Sequence, residues 1–169
     1  KGIIDAAAAS RYPSQMGVSH ELWLVGPLDK ANPGRLSLEQ IRELELESPC
    51  VRYLGFRTDM KDLLAKASVV CLPSTYPEGV PKALIEAAAC GRPIVTYHNP
   101  GCLELVDDNE TGLVVFKNHP DLLAKRIQDV LTNPRLAEML RVNAHKKFLA
   151  NFSLSSVVKQ TLLVYEHLA

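Results

Sequence analysis

The sequence has no excess of charge of either sign, because 19 Lys and Arg residues balance 19 Asp and Glu residues. This balance excludes an overall basic field that would bind nucleic acid or an anionic membrane surface, so any phosphate site must be local. No apolar run approaches the roughly 20 residues of a membrane span. Charge-rich and low-complexity tracts are also missing, which argues against disorder.

Motifs for redox dinucleotides and metals are missing as well. No Gly-x-Gly-x-x-Gly turn follows any apolar run, which disfavours a redox dinucleotide enzyme, and no Asp-x-Asp motif occurs. The four cysteines, Cys50, Cys71, Cys90 and Cys102, have no metal-ligand spacing, and three lie in or beside apolar segments. We interpret them as reduced core residues of a cytosolic protein, which makes zinc improbable.

What is present is an alternation of short apolar runs with helical patterns, in a chain of 169 residues that is 47% hydrophobic. Five runs have the composition of buried strands: ELWLVG, VRYLGF, VVCLP, PIVTYH and TGLVVF. This alternation predicts an α/β fold, with a parallel sheet and helices on both faces, in which ligands bind at the carboxyl ends of strands. We also expect a Pro13 break in the first helix and a short helix near 102–107.

After Phe116 the chain is wholly helical, over about 120–131, 134–150 and 153–167. We predict a single domain, 1–169, with a core of 1–152 and a terminal helix of 153–169. That helix has more apolar positions than one face needs, so we expect it to expose an apolar face that would cross toward an absent N-terminal domain. Because the chain has no initiator Met and opens within a helical pattern, we expect it to be part of a longer protein.

The stretch PEGVPKALIEAAACG, residues 77–91, is the most informative. It places Glu78 in a loop and Glu86 on an apolar helix. Pro81 fits the first helical position and Val80 the N-cap, whose side chain cannot accept hydrogen bonds from the first amides. The amides of Lys82 and Ala83 are therefore free for an anion such as phosphate.

Together with GRPIVT and PGCLELV, this stretch resembles the C-terminal half of retaining glycosyltransferases of family four, which have the GT-B fold of two Rossmann-like domains. The resemblance covers almost the whole chain and implies that the first strand of the domain is missing. The runs LGFRTDM, YPEGVPKALIEAAACGRPIVT and PGC are most similar to bacterial enzymes that add sugars to lipid-diphosphate carriers for capsule, O-antigen or glycoprotein glycans.

The resemblance assigns roles to two carboxylates and one lysine. Glu86 would accept hydrogen bonds from both ribose hydroxyls of a nucleotide sugar, and the alternative is a solvent-facing glutamate. Glu78 would bind a hydroxyl of the donor sugar or position the reacting centre, and the alternative is an acidic residue favoured near a helix N-terminus. Lys1 would neutralise the donor diphosphate, and the alternative is a bare terminal lysine.

The remaining site expectations concern donor binding. They cover Gly26, which allows close approach to the phosphates, the main chain of Arg57 against the base, Tyr76 at the sugar pocket, and the turn residues Gly79 and Val80. Phe56 or Met60 would flank the base. Two departures from the pattern, His98-Asn99 and Leu103, concern the region where donor and acceptor meet. We assign no chemistry to His20, His119, His145 or His167.

The function implied is the donor-binding half of a sugar transferase, with a UDP-sugar as the donor and no cofactor or metal. The acceptor is a glycan or a lipid-diphosphate-linked glycan, reached through an absent N-terminal domain, and any membrane contact is made by the full-length protein. The alternatives are a nucleotide-sugar-binding module without activity and, less favoured, a GT-B epimerase or phosphorylase. Sugar transfer by the intact protein would exclude the binding module. The absorbance of a pyridoxal cofactor would reveal a phosphorylase.

Overall fold

The structure, a computed structural model, describes residues 2–15, 17–28 and 35–168. Five short strands alternate with helices over the first two thirds of these residues. The strands are β1 (Leu22–Val25), β2 (Val51–Gly55), β3 (Val70–Leu72), β4 (Ile94–Tyr97) and β5 (Leu113–Val115). The helices are α1 (Ile3–Gln15), α2 (Leu38–Glu47), α3 (Met60–Lys66), α4 (Lys82–Ala89), α5 (Pro100–Leu103), α6 (Pro120–Thr132), α7 (Pro134–Asn151) and α8 (Leu154–Leu168).

Every strand pairing in the described residues is parallel, as the alternating pattern predicts. β1 pairs with β2, and β3, β4 and β5 form a second sheet in that order. The strands thus form two sheets rather than one. β1 and β3 do not pair; both border a cavity instead. The prediction that a first strand is missing concerns residues before Lys1 and stays a prediction.

Helices cover both faces of the three-stranded sheet. On β4, Val95 and Tyr97 belong to one apolar cluster with α6, while Ile94 belongs to another with α3, α4 and α7. This division follows from the pleat, because neighbouring residues of a strand point to opposite faces. A third, smaller cluster joins α1 to β1 and β2. The predicted fold class is confirmed, and the carboxyl ends of β3, β4 and β5 share one edge.

Three helix boundaries differ from the sequence expectations. α1 continues past Pro13 to Gln15. The short helix expected near 102–107 begins at Pro100 and ends at Leu103, because extended Asn99 leads directly into a proline at the first helical position. Pro81 is the N-cap of α4 rather than its first residue, since its ψ of 126° is extended and its carbonyl accepts the first helical bonds.

The terminal helix α8 exposes most of its apolar side chains. Seven large hydrophobic residues on it are between 45% and 82% exposed: Leu154, Val157, Val158, Leu162, Leu163, Val164 and Tyr165. These positions follow more than one helical stripe, so no single face could bury them all. Across the ranges that the structure describes, no helix is long and apolar enough to cross a membrane.

Candidate functional site

The loop between β3 and α4 starts at a close backbone contact. Gly2 has a φ of +72°, and a Cβ built on it would lie 2.0 Å from the carbonyl oxygen of Pro73. Only glycine fits this approach, so the start of α1 lies against the carboxyl end of β3. Lys1, the predicted diphosphate ligand, lies outside the described residues.

The N-terminus of α4 offers main-chain donors, as the sequence predicts, although the cap differs. The side chain of Pro81 makes no capping bond, and its carbonyl oxygen accepts from the amides of Leu84 and Ile85. Within the described part of the chain, the amides of Lys82 and Ala83 donate to no acceptor. Both residues are exposed. Two unsatisfied amides at the positive end of a helix can bind an anionic group.

Glu86 lies on α4 one turn after these amides. Its side chain is 37% exposed, and its Oε1 lies 3.5 Å from the Nζ of Lys82, whose side chain is 88% exposed. An ion pair with so exposed a lysine is weak and easily exchanged for another partner. The Glu86 carboxylate can therefore accept hydrogen bonds from a ligand at the start of the helix.

Glu78 is held in the loop rather than on the helix. It is half-buried, and its Oε1 accepts a hydrogen bond of 2.6 Å from the hydroxyl of Ser74, which is fully buried. Tyr76 and Gly79 beside it are exposed, while Val80 packs partly against the apolar cluster below α4. The loop thus presents a fixed carboxylate with an exposed aromatic ring nearby.

A cavity of about 810 Å³ separates the two sheets. Most of its wall is apolar and comes from α1, β1, α3 and β3, but Gly26, Ala83 and Glu86 also line it. The structure therefore brings these three predicted residues to one space, and Met60 borders it too. Glu78, Tyr76 and Arg57 are not among the lining residues.

Gly26 ends β1 and adopts a φ of +143°, a conformation that L side chains rarely reach. Its carbonyl oxygen accepts from the hydroxyl of Tyr53 at 2.9 Å, and its amide donates to Gly55 at 2.9 Å. These bonds fix the turn after β1 to the end of β2. The main chain of Gly26, which has no side chain, is thereby placed at the cavity wall.

The side chain of Arg57 is engaged away from the cavity. Its Nε and Nη2 donate to the two carboxylate oxygens of Asp59 at 2.8 and 2.6 Å. This paired bond lowers the pKa of the Asp59 carboxyl from its ordinary value, and it raises the pKa of Arg57 in turn. The side chain of Arg57 is thus paired within the chain, and the contact of its main chain with a ligand stays a prediction. Phe56 before it is largely exposed.

Sequence reasoning gave no role to Ser74, and it placed Asn99 only in a segment that departs from the family pattern. Both are fully buried polar residues, at the ends of β3 and β4. The signal in the sequence was a polar residue directly after an apolar run, which strand ends share with ordinary turns. His98, the other member of that segment, is exposed and stacks on Phe116 with ring centroids 5.5 Å apart.

No disulfide joins the four cysteines; Cys102 is buried as a whole residue, and the other three residues are partly exposed. Burial of the Cys71 thiol raises its pKa to about 12, so it stays protonated and unreactive near neutrality. In the ranges that the structure describes, no cluster of three or more His, Cys, Asp or Glu side chains could hold a metal ion.

Comparisons with known proteins identify the family and the fold of the chain. Residues 1–147 match the family described as glycosyl transferases group 1. The chain is 37% identical, over 121 residues, to the N,N'-diacetylbacillosaminyl-diphospho-undecaprenol alpha-1,3-N-acetylgalactosaminyltransferase of Campylobacter jejuni. That match covers 72% of this chain and 30% of the relative, so the chain spans well under two thirds of the relative's length.

Solved structures share the fold. The crystal structure of a glycosyltransferase from Rickettsia africae superposes with a TM-score of 0.85 at 22% identity, over 99% of this chain and 44% of that one. An Anabaena structure in complex with UDP superposes with a TM-score of 0.72 at 22% identity, over 95% of this chain and 53% of that one. At these identities the likeness concerns the fold.

Proposed function

This chain belongs to the group 1 glycosyl transferases, and on that premise we propose that it is the donor-binding half of a retaining glycosyltransferase that uses a UDP-sugar. One observation carries the proposal. The two free amides at the start of α4 lie one turn from the Glu86 carboxylate, and Ala83 and Glu86 line the same cavity. A nucleoside diphosphate needs both an anion site and a carboxylate that accepts from ribose hydroxyls.

The diphosphate lies at the amides of Lys82 and Ala83. As the glycosidic bond breaks, negative charge grows on the leaving diphosphate, and donors that already point at it stabilise that charge. Gly26 allows the phosphates to approach the backbone, and Lys1 adds a cation. The sugar moves to an acceptor hydroxyl that attacks from the same face, and the leaving phosphate takes the hydroxyl proton.

Glu86 accepts hydrogen bonds from the two ribose hydroxyls, in place of its weak pairing with Lys82. Glu78 contacts a hydroxyl of the donor sugar from the loop after β3. The main chain of Arg57 contacts the base, with Phe56 or Met60 beside it, and Tyr76, Gly79 and Val80 border the sugar.

The relatives support the choice of donor class. The Anabaena structure was solved with UDP, and the Campylobacter enzyme is named for transfer of N-acetylgalactosamine to a diphospho-undecaprenol-linked sugar. A UDP-N-acetylhexosamine or UDP-galactose is therefore our first candidate donor. A glycan or lipid-diphosphate-linked glycan is the acceptor, bound by the rest of the protein, and nucleic acid is not a partner.

Titration calorimetry of the chain against UDP, GDP and ADP and their hexose and N-acetylhexosamine sugars tests the donor class. We expect weak binding of UDP and its sugars and no sugar transfer by this chain alone. Absence of binding to every nucleotide at millimolar concentration would refute the proposal. Binding of GDP or ADP sugars in preference would keep the site and change the base.

A second candidate is a nucleotide-sugar-binding module without activity, because the amides at the start of α4 and the Glu86 carboxylate would bind a nucleotide sugar with or without transfer. An assay of the intact protein with a radiolabelled UDP-sugar distinguishes the two. In that assay we expect transfer to persist after exhaustive EDTA treatment, since helix-terminus amides and a lysine neutralise the diphosphate. Loss of transfer that manganese or magnesium restores would refute this mechanism.

A further inference from the structure

The loop that presents Glu78 is fastened to the chain after β4 by one buried side chain. Asn99 is fully buried, and its amide nitrogen donates to the carbonyl oxygen of Ser74 at 3.3 Å and to that of Tyr76. One planar amide thus holds two carbonyls of the same loop. Both lie more than 20 positions away in sequence.

Ser74 links Asn99 to the Glu78 carboxylate by a second hydrogen bond. The hydroxyl of Ser74 donates to Glu78 Oε1 at 2.6 Å, and its amide donates to Leu72 at the end of β3 at 2.9 Å. Ser74 is therefore fixed on both sides, by β3 and by Asn99. Any shift of its main chain moves the donor on which the Glu78 carboxylate rests.

The far end of the loop is also set by this segment. A Cβ built on Gly101 would lie 2.2 Å from the carbonyl oxygens of both Glu78 and Gly79. The first turn of α5 therefore lies directly against the loop, at a distance that only glycine permits. Asn99 and Gly101 together contact the loop before, beside and after Tyr76.

We propose that Asn99 is a positioning residue that fixes the Glu78 carboxylate for the donor sugar by clamping the loop through Ser74, an inference that rests on the proposed function. The chemistry requires an amide. The NH₂ group of asparagine supplies two donors for two carbonyls, whereas an aspartate carboxylate has none and would face both carbonyls with negative charge. Asn99 Oδ1 is buried and has no hydrogen-bond partner in the described residues, so the amide nitrogen accounts for the contacts of this side chain.

The substitution Asn99→Asp tests the clamp because it keeps the shape and removes both donors. The probes are UDP, which reports the nucleotide subsite, and whichever of UDP-N-acetylgalactosamine, UDP-N-acetylglucosamine and UDP-galactose the wild-type chain binds most tightly. We expect the Kd for the UDP-sugar to rise about tenfold, as for a lost hydrogen bond to a charged group. The Kd for UDP should change less than about twofold.

Asn143→Asp is the matched control. Asn143 also donates its side-chain amide to a main-chain carbonyl, that of Glu110 at 3.0 Å, but it lies on α7 away from the loop. Both Kd values should stay at the wild-type level. Ser74→Ala is the second test variant, since it removes the hydroxyl bond to Glu78 and keeps the carbonyl that Asn99 holds. It should weaken the UDP-sugar and spare UDP.

The outcomes separate the two proposals. If the wild-type chain binds no nucleotide, the proposed function fails and the clamp fails with it. If the wild type binds both probes and Asn99→Asp changes neither, or weakens both equally, only the positioning role is overturned. If Asn99→Asp does not fold by circular dichroism, Ser74→Ala decides alone: selective loss of the UDP-sugar supports the clamp, and wild-type affinity for both probes overturns it.

Discussion

Glu86 is the residue on which nucleotide affinity should depend most. Its carboxylate interrupts an apolar helix, and its one ion-pair partner among the described residues is an exposed lysine at 3.5 Å. We expect Glu86→Gln to weaken UDP binding by about 1.5–3 kcal/mol, because hydrogen bonds to a charged acceptor become neutral ones. Titration calorimetry measures the change.

The matched control at residue scale is Glu78→Gln, another glutamate on the same segment. It should leave the affinity for free UDP unchanged and weaken only UDP-sugars, since Glu78 lies in the loop and does not line the cavity. Equal weakening of UDP by the two variants would show that the division between ribose and sugar contacts is wrong.

The Arg57–Asp59 pair predicts a local pH effect. Arg57 lowers the pKa of the Asp59 carboxyl, so the contribution of the pair to stability is present above the ordinary value of about 3.9. It is lost as the pH falls through the lowered pKa of the folded state. We expect Arg57→Gln to raise the Asp59 pKa toward its ordinary value in an NMR titration of the carboxyl carbon. An unchanged titration midpoint would contradict the pairing.

The positions of the two glutamates, in a loop and on an apolar helix, could be predicted from the sequence because each breaks a local pattern, while their roles stay predictions. Glu86 interrupts apolar positions, and Glu78 precedes a helix start. Asn99 could not be given its role in the same way, since its partners lie 23 and 25 positions earlier and meet it only when β3 and β4 pair. Contacts between strand ends depend on strand order, which local pattern does not contain.

At the scale of elements, α2 and α3 both have a polar N-cap residue but differ in how that residue caps the helix. Ser37 caps α2 with a complete capping box, in which its hydroxyl accepts from Gln40 and the Gln40 side chain accepts from the Ser37 amide. Asp59 takes the N-cap position of α3, but its side chain makes no cap bond, because its carboxylate pairs with Arg57.

We therefore expect Ser37→Ala to lower the free energy of unfolding by about 1 kcal/mol, the usual cost of a lost N-cap. Asp59→Ala should lower it by measurably less, since only an exposed ion pair is lost. Urea unfolding followed by circular dichroism gives both values. A larger loss for Asp59→Ala than for Ser37→Ala would mean that the α3 carboxylate is a functional cap.

Helix existence was predictable and helix ends were not. The sequence contains the Ser-x-x-Gln pattern of α2, but it placed the start of α4 at Pro81 and the start of the next short helix near Cys102. In the structure Pro100 begins a helix and Pro81 precedes one, and the difference lies in ψ, which proline does not fix. The consequence for the site is small, because the amides of Lys82 and Ala83 stay free with either assignment.

At the scale of the whole molecule, the parallel α/β class was predictable because strands and helices alternate with the right periods. The division into two sheets was not predicted as such. The sequence pattern identifies strands but does not say which strands pair. In the structure β1 and β3 do not pair and lie on opposite sides of a cavity. The cavity between the sheets is therefore lined by residues that are far apart in sequence, such as Gly26 after β1 and Glu86 on α4.

The last prediction concerns how the chain behaves in solution. α8 exposes apolar residues on more than one face, so association would remove a large apolar surface from water. We expect the apparent mass in sedimentation and light scattering to rise with concentration.

The paired substitution Leu162→Glu and Tyr165→Glu should keep the chain monomeric, because it places charge on this surface. Gln160→Glu, a polar exposed neighbour on the same helix, should associate as the wild type does. A wild-type chain that stays monomeric at every concentration, with α8 amides protected from hydrogen exchange as strongly as β4, would mean that α8 packs on its own domain.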